Sequence, residues 1–305
     1  MSHEHHDHDH SHAPPDKLTK AFAIGMVLNV AFVVLGIVAG IKAGSTALLA
    51  DAAHNLGDVL GLGMAWGALV LAKRAATARR TYGLRRTTIL ATLANGGLVL
   101  FAIGGVVWEA IQRIGDTHPV NGGIVAVVAA IGVVLNGVSA MLFAKGREKD
   151  MNQRGAFLHL VADAAVSAGV VVAGLIVWKT GWVWIDPVTS IIVSVVILRG
   201  TWKLVSEAFN LLMDAVPEHV DPAAVEKFLR ELPGVREVHD LHVWSMSTTE
   251  VALTAHLVLP WPTAQPAFLA TIHHDLEHHL GIHHITLQFE DCTTVDCAQA
   301  SPGSL

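Results

Sequence analysis

The chain has 305 residues, of which 52% are hydrophobic and 15% are charged, and its mean hydropathy is +0.49. Soluble domains carry about 25% charged residues, so this composition argues against a chain that is soluble along its whole length and indicates membrane spans. The net charge of −6 excludes the strongly basic balance that is typical of nucleic-acid-binding proteins, and we expect no nucleic-acid partner.

The N-terminal segment, residues 1–16, is polar and contains six histidines. It lacks the apolar core of a secretory signal peptide, and we expect it to form a disordered, histidine-rich cytoplasmic tail. Histidine tracts are typical of metal capture. The same composition equally suits a solvated tail without a function of its own, so both interpretations stay open.

Six segments within residues 17–213 are long and apolar enough to cross a bilayer, for which a helix needs about 20 mostly apolar residues. The fold class that they predict is an α-helical polytopic membrane protein with six transmembrane helices. The last of these helices can continue to residue 213. The six segments cover residues 18–41, 45–72, 87–107, 120–143, 155–178 and 183–198.

Basic residues in the loops predict the orientation of the spans. The loop after the second span carries six Lys and Arg residues, the loop after the fourth carries four, and the other three loops carry one each. Because cytoplasmic loops carry the excess of Lys and Arg, we expect the two basic loops and both termini to lie in the cytoplasm.

Residues 214–292 have the pattern of a small soluble domain. Helices are predicted at 221–232 and 263–280, and strands at 235–247, 250–259 and 283–289, which gives the order αββαβ.

The end of the chain holds both cysteines. Residues 293–305 are expected to form a disordered tail. Cys292 and Cys297 make no disulfide framework, and they are either soft metal ligands or inert thiols.

Ionisable side chains in the predicted spans concentrate on two helices. Asp51, His54 and Asp58 lie in the second span, His159 and Asp163 lie in the fifth, and the interiors of the other spans contain essentially none. Charged groups in a bilayer are costly and are functional candidates for that reason. His54 and Asp58 are four residues apart, as are His159 and Asp163, and residues four apart share one face of a helix.

If these two faces meet, they present two imidazoles and two carboxylates, a donor set that suits tetrahedral zinc. The carboxylates also neutralise a divalent cation, and the lack of a neighbouring thiol or thioether argues against Cu(I). A lone buried histidine or aspartate is often only a contact between helices, but two matching pairs favour a metal site. Asp51 lies three residues before His54 and is either an acceptor that orients the imidazole or a residue with a cap or helix-contact role.

The two pairs lie at different predicted depths. His54 is ten residues from Gly44, or about 15 Å at 1.5 Å per residue, whereas His159 is five residues from Arg154, or about 7.5 Å. The pairs meet only if the fifth span extends below the membrane or if water reaches up from the cytosol. Both conditions favour a cavity that is open to the cytoplasm.

Four stretches resemble the cation diffusion facilitator family. Residues 45–74 (STALLADAAHNLGDVLGLGMAWGALVLAKR) are similar to its second span, 81–114 to its third, 154–174 to its fifth, and 234–247 to its cytoplasmic domain. The resemblance covers about residues 17–292. It implies proton-coupled efflux of Zn²⁺, or of a related ion such as Cd²⁺ or Co²⁺, by a homodimer in the lipid bilayer.

The resemblance also implies roles for particular residues. Histidine at position 54 is typical of the zinc-preferring members, whereas manganese-type members tend to have aspartate there. Arg85 stands where members often have histidine, which argues against a metal site in that loop. The transport-site positions of the family fall on His54, Asp58, His159 and Asp163.

The family's cytoplasmic domain is metallochaperone-like, and His239 and His256 match positions that bind metal in some members. A regulatory, dimer-bridging zinc site can therefore form from these two residues with His274 or His283. Surface histidines without a ligand role are the alternative.

Three other functions suit parts of this pattern. A membrane metalloprotease would need H-E-x-x-H, which the sequence lacks, so we expect no enzyme. The lack of buried arginine or aromatic residues beside the two pairs argues against a carrier of organic substrates. A metal sensor that binds without transport stays open. We expect a multi-pass protein of the bacterial inner membrane.

Overall fold

The computed structural model describes residues 16–115, 118–144, 151–260 and 266–291. The N-terminal histidine tract, the predicted C-terminal tail and both cysteines lie outside these residues.

Six long helices lie between the described start of the chain and Leu212. Each contains an apolar window long enough to cross a membrane, which confirms the predicted fold class. The fifth helix begins earlier than the apolar pattern predicts, because polar residues ahead of the span continue the same helix. The helices are α1 (Asp16–Ala43), α2 (Thr46–Ala72), α3 (Thr87–Arg113), α4 (Gly122–Phe143), α5 (Met151–Thr180) and α6 (Ile185–Leu212).

The chain forms two compact units. The first comprises the chain up to Val59 together with Phe101–Leu198. In this unit α4 packs closely against α5 through glycines, since a Cβ on Gly174 would lie 2.7 Å from the Ala126 amide nitrogen and 3.0 Å from the Gly122 carbonyl oxygen. Small residues allow such close approach of membrane helices, and here they fix the position of α5.

A buried carboxylate from α6 caps the start of α2 in the same unit. The Asp186 carboxylate accepts hydrogen bonds from the Ser45 hydroxyl at 2.5 Å, from the Thr46 amide at 2.7 Å and from the Thr46 hydroxyl at 2.9 Å. Ser45, Thr46 and Asp186 are all buried. The first amides of a helix have no partner within the helix, and an anion at that end is favourable. Asp186 therefore anchors α2 two turns before His54.

The second unit comprises Leu60–Leu100 and the chain from Arg199 onward. It contains a small domain whose order αββαβ confirms the prediction. Strand β1 pairs antiparallel with β2, and β2 pairs parallel with β3. Buried Leu229, Ile272 and Leu276 of the two helices pack in one core with residues of the sheet. The elements are α7 (Pro222–Arg230), β1 (Glu237–Ser245), β2 (Val251–Val258), α8 (Pro266–Leu280) and β3 (His284–Glu290).

Candidate metal centre

Helices α2 and α5 bring the two His-Asp pairs together. His54 Nε2 lies 3.0 Å from Asp163 Oδ1 and 3.8 Å from Asp58 Oδ2. His159 Nε2 lies 3.4 Å from Asp163 Oδ2 and 3.7 Å from Asp58 Oδ2. Each imidazole thus faces both carboxylates, and the two rings lie edge to face with centroids 6.1 Å apart.

These separations match the edges of a tetrahedral zinc site. Ligand atoms about 2.0 Å from a tetrahedral ion lie about 3.3 Å from one another, and the four imidazole–carboxylate distances run from 3.0 to 3.8 Å. Ligand atoms of His54, Asp58 and Asp163 all lie within 4.8 Å of one another. His159 lies beside this group, with its Nε2 3.4 Å from Asp163 Oδ2 and 3.7 Å from Asp58 Oδ2.

The site is open on one side. The side chains of His54 and Asp163 are 17% and 7% exposed, whereas those of Asp58 and His159 are 34% and 51% exposed. The two exposed ligands are the ones nearer to Ala72 of α2 and to Met151 of α5. An ion can therefore reach the site from that end of the two helices, while the opposite end is closed.

Asp51 is buried one turn from His54, on the closed side of the site. Its carboxylate accepts a hydrogen bond from the Ser167 hydroxyl at 3.2 Å, and its backbone carbonyl accepts one from the Asn55 side chain at 2.8 Å. The Ser167 contact joins α5 to α2, the Asn55 contact lies within α2, and neither involves the His54 ring. A role for Asp51 in orienting that imidazole stays a prediction.

A second group of possible ligands lies in the cytoplasmic domain. His239 and His256 are direct partners across β1 and β2, with ring centroids 5.1 Å apart. Glu290, at the end of β3, places its two oxygens 3.3 Å from His239 Nε2 and 3.0 Å from His256 Nδ1. A bulge after His239, where Asp240 has a φ of 51°, brings the Asp240 carboxylate within 3.6 Å of His256 Nε2.

The chemistry of this second group suits a metal ion. Both ring nitrogens of His239 and Nδ1 of His256 are buried without a hydrogen bond of acceptable geometry. Buried polar atoms without a hydrogen bond are costly, and a cation bound by one nitrogen of each ring and by Glu290 would satisfy His239 Nε2 and His256 Nδ1.

The other predicted cytoplasmic ligands lie elsewhere. His274 is on α8, where its ring centroid is 4.4 Å from that of His278. His283 precedes β3, and its amide donates to the Val251 carbonyl. The structure brings neither into the group around His239. Glu290 was absent from the sequence prediction, since a glutamate at the end of a strand carries no signal until the pairing of β2 with β3 is known.

Comparisons with known proteins cover nearly the whole chain. A family model of the cation efflux transmembrane domain matches residues 22–213, and a model of the cation efflux protein cytoplasmic domain matches residues 217–292. The zinc transporter ZitB of Escherichia coli (strain K12) is 36% identical over 301 residues, which are 97% of this chain and 96% of ZitB.

Two further similarities concern an antiporter and a solved domain. The cadmium, cobalt and zinc/H(+)-K(+) antiporter of Bacillus subtilis (strain 168) is 31% identical over 276 residues, covering 89% of this chain and 88% of that protein. The metal-bound C-terminal domain of the CzcD transporter from Cupriavidus metallidurans is 36% identical and covers 23% of this chain and 99% of its own, with a TM-score of 0.22.

Proposed function

The chain belongs to the cation efflux family, and from this premise we propose that it exports divalent metal ions, Zn²⁺ foremost, from the cytoplasm in exchange for protons. One observation carries the proposal. Two imidazoles and two carboxylates from α2 and α5 converge at the separations of a tetrahedral zinc site. The two carboxylates balance the charge of a divalent ion, so the loaded site is neutral inside the membrane when both imidazoles are neutral.

The choice of zinc rests on the ligands and on the relatives. Imidazole suits zinc and its neighbours among the transition metals, whereas sites made only of oxygen ligands suit magnesium, calcium and manganese. The matched relatives are named for zinc or for cadmium, cobalt and zinc. Cd²⁺ and Co²⁺ are therefore the alternative substrates.

The contact between His54 and Asp163 supports the proposed proton exchange. The 3.0 Å contact between His54 Nε2 and Asp163 Oδ1 is a hydrogen bond that shares one proton. A metal ion needs the same nitrogen and oxygen lone pairs, so loading must break this bond and release the proton. Protons arriving from the outer side would restore the bond and eject the ion. Because histidine changes its charge near neutral pH, a modest pH difference can drive the exchange.

The exposed side of the site supports loading of the metal ion from the cytoplasm. Asp58 and His159 are exposed toward the ends of α2 and α5 that the positive loops assign to the cytoplasm. The described conformation is thus loaded from the cytoplasm. Rocking of the helices around the site would then expose the site outward. The hydrogen bonds to Asp186 would hold the start of α2 against α6 during this motion.

We assign the group of His239, His256 and Glu290 to a regulatory metal in the cytoplasmic domain. These residues would hold Zn²⁺ and lock the ends of β1, β2 and β3 together. We further propose that the protein works as a homodimer in the bacterial inner membrane, with both termini cytoplasmic. The loop charges, the family membership and the bacterial relatives support this arrangement.

Growth rescue of a bacterium that lacks its own metal exporters tests the proposed function. The chain should restore growth in excess zinc, with weaker or no protection against cadmium, cobalt and nickel. The variant His54→Ala with Asp163→Ala should give no rescue. His219→Ala, which changes an exposed histidine outside both groups, should rescue fully. A metal sensor without transport would give no rescue at all, and rescue by the double variant would refute the assigned site.

A further inference from the structure

The loop between α2 and α3 forms a strongly basic cavity of about 410 Å³. Four arginines line it, and none of the described residues in its lining is acidic. They are Arg79, Arg80, Arg85 and Arg86.

Two of the four arginines have carboxylate partners outside the cavity lining. Arg85 pairs with Glu250 at 2.8 Å, and Arg86 pairs with Asp214. These pairs tie the loop to the cytoplasmic domain within the second unit. Arg79 and Arg80 are exposed and form no ion pair with the described residues, so no described carboxylate compensates their two charges.

The backbone holds these two arginines in place. Thr77 and Arg80 exchange a pair of backbone hydrogen bonds of 3.0 Å each, and Gly83 adopts a φ of 70° that favours glycine. Arg79 lies inside the turn that this pair closes. The guanidinium groups are therefore presented by an ordered loop rather than by a free strand of chain.

One wall of the cavity is apolar and continues onto a membrane helix. Leu90, one turn into α3, is 47% exposed and lines the cavity together with Trp244 and Met246. Leu98 lies two turns further along α3 and is also exposed. A ligand seated here would have its charged end among arginines and its apolar end beside the hydrophobic surface of a transmembrane helix.

We propose that this cavity binds the headgroup phosphate of an anionic phospholipid from the leaflet that the loop faces. Guanidinium groups bind phosphate through paired, charge-assisted hydrogen bonds. Basic pockets at the cytoplasmic ends of membrane helices take such headgroups. The acyl chains would lie along α3 beside Leu90 and Leu98.

The same features exclude a metal ion as the occupant. Arginine stays protonated and has no lone pair to donate, and the charges of Arg79 and Arg80 repel a cation. A free phosphate ion would contact the arginines but not the apolar wall, whereas a phospholipid would contact both.

Native mass spectrometry of the full-length protein with added lipids tests the proposal. Phosphatidylglycerol and phosphatidylethanolamine with the same acyl chains would be compared. The wild-type protein should retain phosphatidylglycerol preferentially. The variant Arg79→Gln with Arg80→Gln should lose it by at least about fivefold, since two charge-assisted contacts are removed.

Two control variants separate this effect from net charge and misfolding. Lys227→Gln with Arg230→Gln removes the same charge from α7, away from the cavity, and should bind lipid like the wild type. Arg79→Lys with Arg80→Lys keeps the charge and should bind more phosphatidylglycerol than the glutamine pair. Equal binding by the lysine and glutamine pairs would overturn the proposal, as would equal loss in the α7 control. Displacement of the lipid by millimolar inorganic phosphate would overturn the assignment to a lipid.

Discussion

At the scale of single residues, the proposed transport site depends on spacing and charge that the sequence already displays. His54, Asp58, His159 and Asp163 stand out because they interrupt apolar helices, and four-residue spacing places each pair on one face. Glu290 could not be predicted in the same way. It lies in a domain where charged residues are common, and only the parallel pairing of β2 with β3 brings it beside His239 and His256.

Exchange of one transport ligand should change the preferred metal. In the His54→Asp variant a carboxylate oxygen replaces an imidazole nitrogen, and the site then has three carboxylates. Because carboxylates suit manganese and imidazole suits zinc, zinc transport should fall and competition by manganese should rise. Zinc flux measured with increasing manganese checks this. An unchanged ratio would show that the side chain at position 54 does not contact the ion.

The cytoplasmic group should lose its metal when its carboxylate is removed. Glu290→Gln keeps the size of the side chain but removes the charge that faces both imidazoles, so one zinc site per chain should be lost in a titration of the purified protein. Glu237→Gln, on the exposed side of β1, should leave the number of sites unchanged. His274→Ala should also leave the number of zinc sites unchanged. Loss of a site in that variant would support the sequence prediction that His274 is a ligand.

At the scale of elements, the six spans and the order αββαβ follow from hydrophobic pattern and period. Two features do not. The early start of α5 at Met151 depends on polar residues that carry no span signal. The contact of Asp186 with Ser45 and Thr46 joins residues about 140 positions apart, and such pairing cannot be deduced from local sequence. The same early start gives α5 the extension below the span that the unequal depths of His54 and His159 require.

Removal of the Asp186 cap should destabilise the protein and slow transport. Asp186→Ala removes the carboxylate that accepts from the Thr46 amide and from the buried hydroxyls of Ser45 and Thr46, which costs about 1–3 kcal/mol. The melting temperature of the purified protein should fall clearly. The control Glu109→Ala breaks a partly exposed pair with Arg113 on α3 and should shift it little, because such pairs contribute little. Equal shifts in the two variants would argue against the anchor.

At the scale of the whole molecule, export from the cytoplasm as proposed requires both ends of the chain to lie in the cytoplasm. The sequence has only two cysteines, Cys292 and Cys297, so an impermeant maleimide can report their side. They should label only after the membrane is permeabilised. His118→Cys, in a predicted outer loop, should label in intact cells once the natural cysteines are replaced. Labelling of the natural cysteines in intact cells would show that the chain has the opposite orientation and would contradict the proposed direction of transport.

Zinc flux into proteoliposomes with an acidic lumen is the decisive test of proton-coupled zinc transport. Zinc should enter as protons leave, and uptake should stop when the pH gradient is dissipated. Asp163→Asn keeps the shape of the most buried ligand but removes a charge that faces both imidazoles, so uptake should fall at least about 100-fold, in line with the cost of breaking a buried pair. Asp275→Asn on α8 should transport like the wild type. Near-normal uptake by Asp163→Asn, or uptake that ignores the gradient, would contradict the account.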